Sequence, residues 1–284
     1  MGVTTMTRRR FVEQTVSVAL ASTLLPAGNV LAEDGKRPLT RIGLQLYTLR
    51  TPLAADFAGT LARVAAIGYK EVEFAGYYDH TPRAVADLLK ENGLRAPAAH
   101  MPLDMVRDKL DQALEIAAAV GHRYLIVPWL APDQRQSLAQ YEALANLLNR
   151  AGEQCRSAGV QLGYHNHDFE FQAIDNKLPY DLLLEATDPS LVSMELDLYW
   201  ITKAGHDPVD YFSRHPGRFS LCHVKDMAAD GSMVDVGSGD IDFSRLLASA
   251  RAAGMKHYFV EHDQPRDPLA SVQSSYQALA KLAF

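Results

Sequence analysis

Four apolar runs in this chain each close on residues able to hold a metal ion. Leu162-Gly163-Tyr164 leads to His165-Asn166-His167, and Val192-Ser193-Met194 to Glu195-Leu196-Asp197. Ser220-Leu221-Cys222 leads to His223-Val224-Lys225-Asp226, and His257-Tyr258-Phe259-Val260 to Glu261. Side chains alternate along a strand, so His223 shares a face with Leu221 and Lys225, while Cys222 and Val224 take the other. The same parity groups His165 with His167, Glu195 with Asp197, and Phe259 with Glu261. One histidine at a strand end is usually a hydrogen-bonded core residue. Four metal-capable residues at four successive strand ends are harder to explain that way, because a buried unpaired polar group costs about 1–3 kcal/mol. Two carboxylates (Asp197, Glu261) and two neutral imidazoles (His165, His223) suit a divalent cation such as Mn²⁺, Zn²⁺, Co²⁺ or Mg²⁺. Glu195 falls one layer deeper and is given a structural role. Gln45, Glu73 and His100 close three earlier runs and are expected to join as substrate contacts.

Such residues need a scaffold that brings strand ends together. From residue 41 onward, strand and helix patterns alternate. Strands are expected over 42–47, 70–74, 95–100, 124–127, 160–165, 191–197, 218–224 and 257–261. Helices are expected over 53–67, from Thr81-Pro82 to near Gly93, from Asp104 to Val120, and over 136–157, 180–186, 208–214, 243–253 and 268–282. Eight strands alternating with eight helices imply parallel strand–helix–strand units. No GxGxxG follows the first strand, so an open dinucleotide-binding sheet lacks its fingerprint. The expected fold is therefore α/β, a (β/α)8 TIM barrel over residues 41–284, with its site at the strand C-termini.

Composition agrees. Of 284 residues, 48% are hydrophobic and 22% charged, and a barrel of about 250 residues uses nearly all of such a chain. The net charge of -6 argues against nucleic acid, because phosphate binding needs a basic face. The two cysteines, Cys155 and Cys222, fall in a helical and a strand pattern and read as small buried residues. Residues 1–32 stand apart. Arg8-Arg9-Arg10 precedes an apolar run from Val16 to Leu25 and the small-residue stretch Val30-Leu31-Ala32, the pattern of a cleaved twin-arginine signal peptide. That run is short against the roughly 20 residues a bilayer span needs. A periplasmic or exported product without stable membrane insertion is expected, and a homo-oligomer is left open.

The motifs Gly43-Leu44-Gln45-Leu46-Tyr47, Tyr164-His165-Asn166-His167, Leu196-Asp197-Leu198-Tyr199-Trp200, His223-Val224-Lys225-Asp226, Val236-Gly237-Ser238-Gly239-Asp240 and Val260-Glu261 together resemble the xylose isomerase-like TIM-barrel superfamily, in its sugar phosphate isomerase/epimerase branch. The resemblance covers about residues 41–284. It implies metal ligands from strands five to eight, matched here by Asp197, His223 and Glu261. At strand five, where many members carry glutamate, this chain has His165, which departs from a symmetric two-glutamate proton transfer. Glu170 is a candidate replacement, and His165 or His167 a candidate base.

The resemblance also implies proton abstraction beside a carbonyl through an enediolate. Glu261 or His165 would take the proton, Lys225 and Asp226 would hold hydroxyls, and Trp200, Tyr47 and Trp129 would pack on an apolar sugar face. A metal-dependent sugar isomerase or epimerase is the first expectation. A lyase or hydrolase on 3-keto-glycosides, or a keto-polyol dehydratase, is the second, and a non-catalytic sugar-binding protein the third. The partner in each case is a small sugar or keto-sugar. The loop Gly237-Ser238-Gly239 is expected to be a plain turn ahead of a helix capped by Asp240 or Asp242.

Overall fold

The protein is described from a computed structural model that covers residues 1–2 and 39–283; the expected signal peptide lies outside the described residues. Eight parallel strands close into a barrel. They are β1 Gly43–Gln45, β2 Glu71–Phe74, β3 Arg95–His100, β4 Tyr124–Val127, β5 Gln161–His165, β6 Val192–Asp197, β7 Phe219–Val224 and, after a two-stranded ribbon of β8 Asp226–Met227 and β9 Met233–Val234, the closing strand β10 His257–Val260. The order around the barrel is β1-β10-β7-β6-β5-β4-β3-β2. This is the (β/α)8 TIM barrel expected from the strand–helix alternation. Among the described residues, no helix is long and apolar enough to cross a membrane.

Register places the chemistry. His165 pairs with Glu195 and Asp197 with His223, so the ends of β5, β6 and β7 lie side by side. Phe259 pairs with His223 and Gly43 with Phe259, which seats Glu261 next to them across the closing seam. Below these residues the barrel is plugged by Ala98, Tyr124, Ile126, Leu221 and Phe259, packed as a separate apolar cluster. Two glycines make that plug possible. A Cβ on Gly43 would come within 2.4 Å of the Phe259 ring, and one on Gly163 within 2.5 Å of Ile126 Cδ1. The larger apolar shell lies between strands and helices and takes the other strand parity, including Cys222, Val224 and Val260.

Several elements differ from the sequence expectation. The helix expected over 53–67 is two helices, Arg50–Ala55 and Phe57–Ile67. Asp56 leaves helical geometry between them and accepts from the Gly59 amide, so an internal capping residue starts a new helix. The helix expected to start at Asp104 is likewise two, Leu103–Asp108 and Leu110–Val120, broken at Lys109. A short helix, Leu198–Lys203, follows β6 directly, and the ribbon after β7 was not anticipated. Asp242, not Asp240, caps the helix Phe243–Ala248.

Candidate metal centre

Above the apolar plug the barrel holds two stacked polar layers that share one imidazole. The deep layer contains Glu73 from β2, His100 from β3, Glu195 from β6 and the Nε2 edge of His223 from β7. His223 Nε2 lies 2.8 Å from Glu73 Oε2 and 3.3 Å from Glu195 Oε2. His100 Nε2 lies 3.0 Å from Glu195 Oε2 and 3.3 Å from Glu73 Oε2. Gln45 Nε2 donates to Glu73 Oε2 at 2.7 Å, and Gln45 Oε1 accepts from the Tyr47 amide.

The upper layer contains His165, Asp197, the Nδ1 edge of His223, and Glu261, with ligand atoms all within 4.8 Å of one another. His165 Nδ1 donates to the Pro128 carbonyl at 3.1 Å. A carbonyl can only accept, so in the neutral ring Nε2 carries a bare lone pair, and it faces Asp197 Oδ2 at 3.2 Å. His223 Nδ1 and Glu261 Oε2 are 2.9 Å apart but out of line for a hydrogen bond; Nδ1 has no hydrogen-bond partner, and Oε2 meets only the charge of the Lys225 ammonium at 2.7 Å. Lone pairs and carboxylate oxygens converging on one point call for a cation between them. Asp197 Oδ1 is occupied separately, accepting from the Tyr199 and Trp200 amides as it caps the short helix, which leaves Oδ2 aimed inward. The four residues fit a divalent cation held by two imidazoles and two carboxylates. The deep carboxylates complete the design, because His223 Nε2–H donating to Glu73 fixes the tautomer that leaves Nδ1 free.

Lys225 adds a fixed positive charge. Its Nζ lies 2.7 Å from Glu261 Oε2, 2.8 Å from Asp263 Oδ1 and 3.0 Å from Asp197 Oδ2. Burial opposes that charge, but Asp197, Glu261 and Asp263 outweigh it and hold the ammonium well above its ordinary pKa. Burial likewise opposes ionisation of Asp197 and Glu261, yet Lys225 and the nearby imidazoles keep both well below the usual carboxylate range. Burial opposes a charge on His223, but Glu195, Glu261 and Asp197 hold its ring protonated in the absence of metal, so a bound cation would take the place of the Nδ1 proton. Burial and that charge push His165 down, so it stays neutral. Burial, His165 and Lys225 push His167 down to about 2. His167 is thus a neutral hydrogen-bonding group, with a buried Nδ1 that has no partner.

The upper layer opens into a cavity of about 420 Å³ at the barrel mouth. Of the residues expected from sequence, Tyr47, His100, Trp129, His165, His167, Lys225 and Glu261 line it. Asp197 and His223 are buried at its floor. The remaining expected substrate contacts lie elsewhere. Glu73 and Gln45 are fully buried in and beside the deep layer, out of reach of a ligand. Glu170 does not replace the strand-five glutamate. It is buried outside the cavity, accepting from Tyr164 Oη at 2.6 Å and the His167 amide at 2.8 Å, because the turn after β5 folds its carboxylate back under the loop. Asp226 is a loop clamp, not a sugar contact: its carboxylate accepts from the amides of Met227, Gly237, Gly239 and Ile241. Trp200 sits behind His167, with ring centroids 5.4 Å apart, and does not line the cavity. Asp263 and Gln264 do line it and were missed. Asp263 lies two residues beyond Glu261, so continuing the strand parity past the strand end would have found it.

The chain resembles known proteins in sequence and in fold. A family model described as the xylose isomerase-like TIM barrel matches residues 61–282. The inosose dehydratase of Geobacillus kaustophilus is 24% identical over 261 residues, 78% of this chain and 84% of that protein. A crystal structure of a sugar phosphate isomerase/epimerase from Parabacteroides distasonis superposes with a TM-score of 0.75 at 28% identity, over 85% of this chain and 98% of that one. An IOLI protein crystallised with a zinc atom shares the fold at a TM-score of 0.66 and 14% identity, over 84% of this chain and 96% of that one. With its barrel and strand-end site in place and the family match spanning most of its length, the chain belongs to the xylose isomerase-like TIM-barrel family.

Proposed function

We propose that the protein is a metal-dependent lyase that eliminates a β-substituent from a keto-polyol, water in the simplest case. One observation carries the choice. The end of β5 presents His165, whose Nδ1 donates to the Pro128 carbonyl and whose Nε2 lone pair points into the ligand cluster beside Asp197, and the nearby Glu170 is folded away from the cavity. An epimerase of the two-carboxylate kind needs a like base on each face of the substrate. Here the opposed pair is missing, and a carboxylate stands beside an ammonium instead.

When bound, the metal supplies Lewis acidity toward a substrate carbonyl and an adjacent hydroxyl. The chain's own residues then divide the proton work. Glu261, held ionised by Lys225, takes the proton from the carbon beside the carbonyl. Lys225 gives a proton to the β-oxygen as the carbon–oxygen bond breaks and a carbon–carbon double bond forms. The two groups are 2.7 Å apart, so the proton on Glu261 passes to Lys225 and restores both. His167 stays neutral and hydrogen-bonds a hydroxyl. The inosose dehydratase relative supports this reading, since an inosose is a keto-polyol.

The isomerase reading keeps one observation in its favour, the 28% identity to a sugar phosphate isomerase/epimerase. One experiment separates the two. Metal-loaded protein is incubated with an inosose in deuterated water, and the product is followed by mass spectrometry and NMR. A product lighter by one water supports the lyase. A product of unchanged skeleton carrying deuterium on carbon overturns it in favour of isomerisation.

A further inference from the structure

The cavity mouth has two features that elimination chemistry does not use. Apart from Met1, Tyr47 and Trp129 are the large apolar side chains left exposed among the described residues, at 43% and 47%. Both lie on the rim of the same cavity. Isolated exposed aromatics need no explanation, but two converging on one polar mouth form a stacking surface. Each is held. Arg50 lies over the Tyr47 ring at 4.3 Å from its centroid and donates to the Tyr47 carbonyl. Trp129 follows Pro128, whose carbonyl accepts from the metal ligand His165. The rim is therefore tied to the reacting floor.

The second feature is charge. Lys225 is the cationic side chain lining this cavity, and its ammonium already faces three carboxylates. Glu261 and Asp263 add negative charge to the same wall. The Gly237 and Gly239 amides, which could have cradled an anion, are taken by the Asp226 carboxylate. Among the described residues, no cationic side chain lining the cavity is left unpaired to meet a phosphate or carboxylate on the substrate.

We infer that the substrate is an uncharged glycoside: one ring reacts on the cavity floor, and a second ring or aglycone stacks against Tyr47 and Trp129. This rests on the lyase reading for what happens at the floor, but the subsite is tested by binding alone. The metal-loaded full chain is titrated calorimetrically with methyl β-glucoside, phenyl β-glucoside, glucose and glucose 6-phosphate. The phenyl glycoside is expected to bind about tenfold more tightly than the methyl one, the scale of one aromatic stack. Glucose 6-phosphate is expected to bind no more tightly than glucose. Trp129→Ala and Tyr47→Ala, both exposed and checked for folding by their melting curves, should each shrink the phenyl preference to less than threefold. Equal affinity for the two glycosides, including no binding of either, overturns the inference. So does a preference that survives both substitutions, or tighter binding of the phosphate. None of these outcomes depends on turnover. Failure of the lyase reading would show separately, in the mass of the product.

Discussion

The two polar layers of the barrel use the same residue types for different work. Each contains two carboxylates and two imidazoles, and each uses one edge of His223. In the deep layer the contacts are mutual: imidazole N–H groups meet carboxylates at 2.8–3.3 Å, and Gln45 supplies a further donor. In the upper layer the His165 Nε2 lone pair faces the Asp197 carboxylate, His223 Nδ1 makes no hydrogen bond, and Glu261 Oε2 meets only the Lys225 ammonium. The deep layer also leaves two oxygens unpartnered, Glu73 Oε1 and Glu195 Oε1, but both of its carboxylates accept from imidazoles through Oε2; the upper layer is the one whose convergent acceptors open onto the cavity and fit a cation. The difference comes from depth. One residue along each strand moves a side chain outside the barrel, and two move it up a layer, so Glu195 and Asp197 serve different layers from a single strand.

The sharpest way to break this comparison is to remove an upper-layer ligand. Asp197→Asn keeps a side-chain oxygen able to cap the helix Leu198–Lys203, so folding should be retained. It should nevertheless lose bound metal and all measurable turnover. Elemental analysis beside a circular dichroism melt checks both, and full metal occupancy in the folded variant would dissolve the distinction between layers. The next effect is on the acid. Lys225→Met leaves all four ligands in place, so metal content should be unchanged while turnover falls about 10²–10⁴-fold. Loss of metal together with activity would make Lys225 a structural tie and not a proton donor.

Much of the contrast was legible in sequence. Period-two alternation placed His165, His223 and Glu261 on the inner face, and counting back from Asp197 put Glu195 a layer lower. The barrel followed from strand–helix alternation, and the eight barrel strands were found close to their observed limits. What stayed hidden was the ownership of hydrogen bonds. Alternation assigns a face to Glu73 and Gln45 but does not say that His223 reaches down to Glu73 across the barrel interior, 150 residues away in the chain. Nor does composition reveal that Asp226 spends its carboxylate on loop amides. The turn that hides Glu170 depends on Tyr164 pointing to the outer side of β5, a partner six residues away that only the folded loop brings close.

Glu170 is a buried carboxyl outside both layers, and a control for what burial does away from them. Burial raises it from 4.5 to about 7, even though the Tyr164 hydroxyl and the His167 amide favour the ionised form. Its folded pKa therefore lies above its unfolded one. The stability it contributes is full below the ordinary carboxylate pKa, falls as pH rises toward 7, and is gone above that. The loss amounts to about 3 kcal/mol. Glu170→Gln can still accept from the His167 amide and donate to Tyr164, and it has no proton to lose. Melting temperatures at pH 5 and pH 8 should differ less in the variant than in the parent. An unchanged pH dependence would assign the titration to another group.

The smallest expected effect tests the deep layer itself. Burial opposes ionisation of Glu195, but His223 and His100 hold it well below the usual carboxylate range, so it acts as a fixed charge beneath the metal ligand. Glu195→Gln keeps the volume and a hydrogen-bonding oxygen but removes that charge. His223 should remain oriented by Glu73, at 2.8 Å, and lose only part of its basicity. Metal affinity should fall about 10–100-fold, with one equivalent still bound at saturation. Competition with a chromophoric chelator measures this directly. A variant that binds metal as tightly as the parent would mean that the deep carboxylates pack the barrel without tuning the centre above them. A variant that no longer saturates would mean that the boundary between the layers lies lower than His223.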